Sequence, residues 1–165
     1  MLVTRTNFEQ ILGELYTASV IALDTETTGL RPYHGDRLFS LILAVSVDRV
    51  FYFNFNATDE FQEEEVLPRS YLKMLGPIFR RVDVTWVGHN LKFDLHMLAQ
   101  EGVFLTGTLY DTMIVMRLID NDRFQYSLDS CANDLLGETK DDAVEKHIRE
   151  HGLWSKVGDD KILHY

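Results

Sequence analysis

Apolar and β-branched runs dominate the first half of the chain, and apolar residues at helical spacing dominate the second. SVIALDTET (19–27) is a short apolar run that ends in polar residues; LFSLILAVSV (38–47) and RVFYFNFN (49–56) follow it, with strand composition on either side of Asp48 and Arg49. These predict three strands, the last two forming a hairpin. DEFQEEE (59–65) reads as a loop, YLKMLGPIF (71–79) has helical character, and VTWVGHN (84–90) returns to a short buried strand. From Leu91 onward the pattern is mostly helical. LKFDLHMLAQE (91–101) begins after Asn90, read as its N-cap, and stops at Gly102. In SLDSCANDLLG (127–137) Ser127 is the cap, Gly137 the stop, and Leu128, Cys131, Ala132, Leu135 and Leu136 form an apolar stripe. Strands first, then strand alternating with helices, predict an α/β domain whose central mixed sheet combines a meander with parallel crossovers.

No repeat or Gly/Ser linker interrupts the 165 residues, so one continuous domain is expected over 1–165. A hydrophobic share of 45% and a charged share of 25% are those of a globular chain that builds a core without metals or disulfides, and they exclude disorder, collagen and coiled coil. The single cysteine, Cys131, makes no intramolecular disulfide and reads as a core residue. The start MLVTRTNFEQ lacks an apolar signal-peptide region, and the longest apolar run is about half the ~20 residues a membrane helix needs. A reducing, cytosolic setting without a membrane span is therefore expected. With 16 Lys and Arg against 26 Asp and Glu, the net charge is −10. Such a chain cannot hold nucleic acid by a general basic field, and any it binds must be gripped at a local site.

Asp24 and Glu26 stand two apart at the end of VIALD, so on a strand both carboxylates leave the same face. Their repulsion is relieved by a divalent cation, which takes carboxylate oxygens and keeps waters and substrate phosphates as its other ligands. The competing reading is a solvated pair in a turn, since Thr27, Thr28 and Gly29 follow. Asp94 adds weight to the metal. On the predicted helix Leu91, Leu95, Leu98 and Ala99 make the buried stripe, and Asp94 falls roughly 60° from Leu91 on its edge, leaning toward the sheet. The competing reading there is an acidic residue favoured by the helix dipole. Three converging carboxylates would make a two-metal site.

DTETTGL (24–30) and HNLKFD (89–94), with DTMIVMRLI (111–119) and YSLDSCANDLLG (126–137), resemble the DnaQ-like, DEDD-type 3'-5' exonucleases, most of all the proofreading domains of family A DNA polymerases. The resemblance spans about residues 18 to 140 and implies a ribonuclease H-like fold. It implies two divalent ions, Mg2+ or Mn2+, with Asp24 bridging both, Glu26 on the ion that activates water and Asp94 on the leaving-group side. The substrate it implies is a single-stranded or frayed DNA 3' end, released as nucleoside 5'-monophosphates. Thr25, Thr28, Leu30, Asn90 and Phe93 match substrate-binding positions, Leu30 as a wedge between the last two bases, Asn90 and Phe93 in the pocket for the terminal nucleotide. Leu30 and Phe93 serve equally well as plain core residues. A polymerase domain in the full-length protein, and the cytoplasm of a bacterial or phage-infected cell, complete the expectation.

The family also carries a fourth carboxylate, an Asp four residues after a Tyr or five after a His. Beyond residue 94 neither spacing occurs: Tyr110 and Tyr126 meet Ile114 and Ser130, His147 and His151 meet Gly152 and Lys156, and Asp159 and Asp160 lack the partner. The resemblance implies that this motif falls beyond Tyr165, so the chain is expected to be truncated and its own activity reduced. His89, His96, Trp86 and Trp154 carry no separable signal; His89 reads as a packed or solvent-facing ring and Asp111 as an N-cap. Three rivals remain: an exoribonuclease of the same superfamily, a catalytically silent module that binds single strands or a protein, and a phosphotransferase with Asp24 as nucleophile.

Overall fold

The computed structural model describes residues 1–55 and 66–138; the acidic loop at 59–65, His147, His151, Trp154, Asp159 and Asp160 lie outside them. The chain divides into two compact units, Met1–Ala57 with Gln62–Thr112, and Thr58–Phe61 with Met113–Tyr165. In chain order the first contains α1 (Phe8–Thr17), β1 (Val20–Thr27), a 3-10 turn (Pro32–His34), β2 (Leu38–Ser46), β3 (Arg49–Asn54), α2 (Ser70–Met74), α3 (Gly76–Phe79), β4 (Thr85–Gly88), α4 (Leu91–Gln100) and β5 (Thr108–Asp111).

The five strands form one sheet in the order β3-β2-β1-β4-β5. β1 pairs antiparallel with β2 and β2 with β3, whereas β1 with β4 and β4 with β5 are parallel. This is the expected mixed sheet, a hairpin meander joined to parallel crossovers. Burial alternates along β1: Ile21, Leu23 and Thr25 point into the core, while Val20, Ala22 and Asp24 face outward. The register stacks Leu23 beside Leu43 and Leu43 beside Phe51, and Thr25 beside Leu41 and Leu41 beside Phe53. Against this face lie Phe8, Ile11 and Leu15 of α1, Leu72 of α2, Ile78 and Phe79 of α3, and Leu91, Met97 and Leu98 of α4. The Phe8 ring stands edge-on to Phe53 and Tyr71, with centroids 6.4 and 4.7 Å away. Trp86 is fully buried, and its indole N–H donates to the Thr106 carbonyl at 2.8 Å, so its one polar atom is satisfied. Burying each such side chain contributes about 1.5–3 kcal/mol.

Two elements differ from the sequence expectation. α1 forms where the pattern of Phe8, Ile11 and Leu15 places one apolar stripe, and the Arg81 guanidinium donates to the Leu15 and Ala18 carbonyls at its C-terminal end. β5 is a four-residue strand inside a stretch read as helical; Thr108–Asp111 are held by pairing with β4 rather than by their own apolar alternation. YLKMLGPIF is two short helices, with Pro77 in the first turn of the second.

In the second unit lie α5 (Thr112–Ile119), which starts at the boundary, and α6 (Leu128–Leu136). The Ser127 hydroxyl accepts the Ser130 N–H, and Gly137 ends α6 at φ 70°, both as expected. The predicted stripe of α6 is not a buried stripe: Cys131 is buried, but Leu128, Leu135 and Leu136 are exposed. Helical spacing puts residues on one face; it does not supply something to cover them. Between the helices, Arg123 pairs with Asp134, Arg117 lies over the Tyr126 ring at 4.5 Å, and the Tyr126 hydroxyl donates to the Asp120 carbonyl.

Candidate active site

Parallel pairing of β1 with β4 ends at Ala22 and Val87, so Asp24 and Glu26 project past the last paired residues, at the carboxyl end of the strands. Across β2 their partners are Ile42 and Ser40, and the register slips immediately after Glu26. Such a bulge bends the strand and redirects the side chains around it. Asp24 is exposed and Glu26 half-buried on the outward face, as the period of two requires.

Asp94 reaches this strand from α4. The buried positions of α4 are Leu91, Asp94, Met97 and Leu98, with Leu95 and Ala99 only half-buried, so the helix is rotated from the expected stripe toward Asp94. Asp94 is 3% exposed, and its Oδ1 accepts the Thr25 hydroxyl at 2.6 Å. Burial pushes its pKa up to about 7; the Thr25 hydrogen bond works against that rise and the nearby charge of Asp24 adds to it. The structure thus brings Asp94 within electrostatic reach of Asp24. Among the described residues, however, no three acidic, His or Cys side chains stand together as a ready-made ion cage, because Asp94 is turned onto Thr25 on the core side of β1. The donor set still fits a hard divalent cation: all three are carboxylates, and a cation would offset both the burial that raises the Asp94 pKa and the lesser repulsion from Asp24.

The turn between β4 and α4 is held by residues that sequence reasoning assigned elsewhere. Asn90 is not a side-chain N-cap. It adopts the left-handed conformation at φ 65°, ψ 42°, which Asn tolerates better than other residues with a Cβ, and its side chain makes no capping bond. Its N–H donates to the Asp111 carboxylate at 3.0 Å, so Asp111, the residue directly before α5, also braces this turn from the end of β5. The Thr112 hydroxyl donates to the Gly88 carbonyl and is 2.9 Å from His89 Nδ1, which makes His89 a packed ring. An Asn before a helix, followed some twenty residues on by Asp-Thr after a strand, is the signal that could have found this brace.

Of the other predicted residues, Leu30 is 81% exposed, which removes the core reading for it. Phe93 is partly buried and packs on the core, Asn90 is exposed, and Thr25 is buried with its hydroxyl committed to Asp94. Thr28 lies at the base of the loop after β1, where its hydroxyl accepts the Arg37 N–H at 2.9 Å. None of these lines the cavity of about 420 Å³ bounded by Leu72, Phe79, Glu101 and Phe104. Among the described residues no helix is long and apolar enough to cross a membrane.

A family model described as 3'-5' exonuclease matches residues 1–151. DNA polymerase DpoZ of Salmonella phage PMBT28 is 33% identical over 139 residues, covering 84% of this chain and 20% of that protein. DNA polymerase I of Chloroflexus aurantiacus is 31% identical over 114 residues, covering 69% of this chain and 12% of that one. The chain therefore spans a fifth or less of these relatives. Among solved structures, the Trypanosoma brucei RNase D complex with RNA U12 superposes with a TM-score of 0.75 at 18% identity, covering 99% of this chain and 56% of that one. Brucella melitensis NrnC with bound Mg2+ gives 0.64 at 22%, covering 92% and 66%. These likenesses place the mixed sheet and its helices in the ribonuclease H-like fold. With motifs and fold in agreement, the chain belongs to the 3'-5' exonuclease family and is a 3'-5' exonuclease domain of the DnaQ-like type.

Proposed function

We propose that the chain is a divalent-metal-dependent 3'-5' exodeoxyribonuclease that removes nucleoside 5'-monophosphates from single-stranded or frayed DNA 3' ends, as a proofreading module of a DNA polymerase. One observation carries the reading: a carboxylate buried to 3% exposure, Asp94, is held against the strand that bears Asp24 and Glu26, with Asp24 close enough to raise its pKa. A buried acid beside a second acid at the open end of a mixed sheet costs stability and has no structural use that a neutral residue would not serve better. Mg2+ or Mn2+ ions held by Asp24, Glu26 and Asp94 would activate water for in-line attack at phosphorus and neutralise charge on the leaving oxygen.

The chain's own residues do the rest. Thr25 holds Asp94 by its hydroxyl and so fixes the side chain on α4. In this reading Leu30, exposed beyond β1, would wedge between bases, and Phe93 and Asn90, on and before the first turn of α4, would flank the terminal nucleotide. Stacking of this kind suits a nuclease without sequence preference, at about 1–3 kcal/mol per base. The names of the curated relatives, both DNA polymerases, favour DNA over RNA. The test is digestion of 5'-labelled single-stranded DNA and RNA of one sequence in Mg2+ or Mn2+, with the wild-type chain and Asp24→Ala. A DNA ladder shortening from the 3' end and absent in the variant supports the proposal. Digestion of RNA alone reassigns the substrate, and equal digestion by Asp24→Ala refutes the mechanism.

A further inference from the structure

The loop that joins β1 to β2 is tightly organised although it contributes no buried side chain between Gly29 and Arg37. Its base is closed by two bonds, the Thr28 N–H to the Arg37 carbonyl and the Arg37 N–H to the Thr28 hydroxyl, both 2.9 Å. Inside it, the Thr27 hydroxyl donates to the Gly29 carbonyl and the Asp36 carboxylate accepts the Arg31 N–H at 2.7 Å. That carboxylate lies over Gly29 so closely that a Cβ there would be 2.6 Å from Oδ2, and Gly35 turns the chain at φ 102°. A loop packed by its own polar groups, with apolar and cationic side chains turned outward, is built to present them. The outward set is Leu30, Arg31, Tyr33 and Arg37, Tyr33 being 62% exposed.

One side-chain link ties this loop to α4. The Tyr33 hydroxyl and His96 Nδ1 share a hydrogen bond of 2.7 Å, and the two rings meet edge to face with centroids 5.4 Å apart. His96 lies on the helix that also carries Phe93 and Asp94. We propose that the Tyr33–His96 pair is a pin that fixes the loop as a preformed platform for the single strand, holding Leu30 at a set position relative to Phe93. The inference rests on the exonuclease reading. Tyr33 and His96 are positioning residues in it; the groups meeting the strand are Leu30, whose side chain a base can stack on, and Arg31 and Arg37, two exposed cations on a chain of net charge −10. A loop already ordered costs less to bind than one ordered by its ligand.

The test uses the full chain with Tyr33→Phe, His96→Leu and His96→Asn, the last keeping a hydrogen-bonding atom where Nδ1 stands. Amide hydrogen exchange reads Thr28, Arg31 and Arg37, and fluorescence anisotropy reads the Kd for a 5'-fluorescein deoxyoligonucleotide in Ca2+. Expected are faster loop exchange and a Kd raised about 3- to 10-fold in Tyr33→Phe and His96→Leu, the loss of one hydrogen bond, with His96→Asn near wild type. Unchanged oligonucleotide binding in Tyr33→Phe overturns the inference, whether or not loop exchange rises. A wild-type chain that binds no oligonucleotide while its loop amides stay protected is a different failure; it brings down the exonuclease reading, and this inference with it.

Discussion

A buried aspartic acid with a pKa of about 7 holds a proton in the native state that the unfolded chain, at the ordinary 3.8, has released. Between those values the native state binds more protons, so its stability falls as pH rises from about 4 to 7 and levels off above. Asp94→Asn keeps the oxygen that accepts from Thr25 and removes the charge, so it is expected to flatten that slope. Without divalent ions it should be about 1–3 kcal/mol more stable than wild type at pH 8, read by urea unfolding at pH 5 and 8. Parallel slopes in the two proteins would show that Asp94 is not the titrating group. Asn90, left-handed at φ 65°, makes a second prediction: Asn90→Gly should be near neutral, whereas Asn90→Val should lose about 1–2 kcal/mol. Equal stability of the two variants by the same unfolding measurement would contradict it. That Asp24 and Glu26 leave the same face of β1, and that Asp94 leans inward from α4, was legible in the sequence because strand and helix periods are local. The contacts Thr25–Asp94, Tyr33–His96 and Asn90–Asp111 were not, since they join residues 69, 63 and 21 apart and only the folded chain brings them together.

At the scale of elements, the close approach of β1, β4 and α4 rests on Gly88. A Cβ there would lie 2.4 Å from Leu91 Cδ2 and 2.9 Å from the Leu23 carbonyl oxygen, one of them backbone that cannot swing aside. Gly88→Ala is therefore expected to cost about 1–3 kcal/mol in urea unfolding and to weaken divalent-ion binding by moving Asp94 from Asp24. A loss under about 0.5 kcal/mol would mean that the strands already have room. The strands β1 to β4 could be read from composition, because each carries apolar residues enough to identify itself. β5 could not: TLYD is exposed or half-exposed throughout, and its strand geometry comes from pairing with β4. α6 shows the converse limit, a stripe legible at i, i+3, i+4 and i+7 whose leucines nevertheless remain exposed.

Over the whole chain, a net charge of −10 directs any nucleic-acid contact to a local site. Under the proposed function that site is the open end of the mixed sheet, where β1 outruns β4 and α4 delivers Asp94. The α/β class and the hairpin of β2 and β3 were readable in advance; no linker composition marks Thr112, where the first compact unit ends. The central claim is that Asp24 and Asp94 belong to one metal-dependent site, and calorimetric titration with Mn2+ tests it most directly, at pH 6 and pH 8, on wild type, Asp24→Ala and Asp94→Asn. Binding must displace the proton on Asp94, so affinity should be about tenfold higher at pH 8 than at pH 6, with proton release at pH 6, and each variant should lose affinity about tenfold or more. Mn2+ binding that is the same in all three proteins, or that ignores pH between 6 and 8, would contradict the claim.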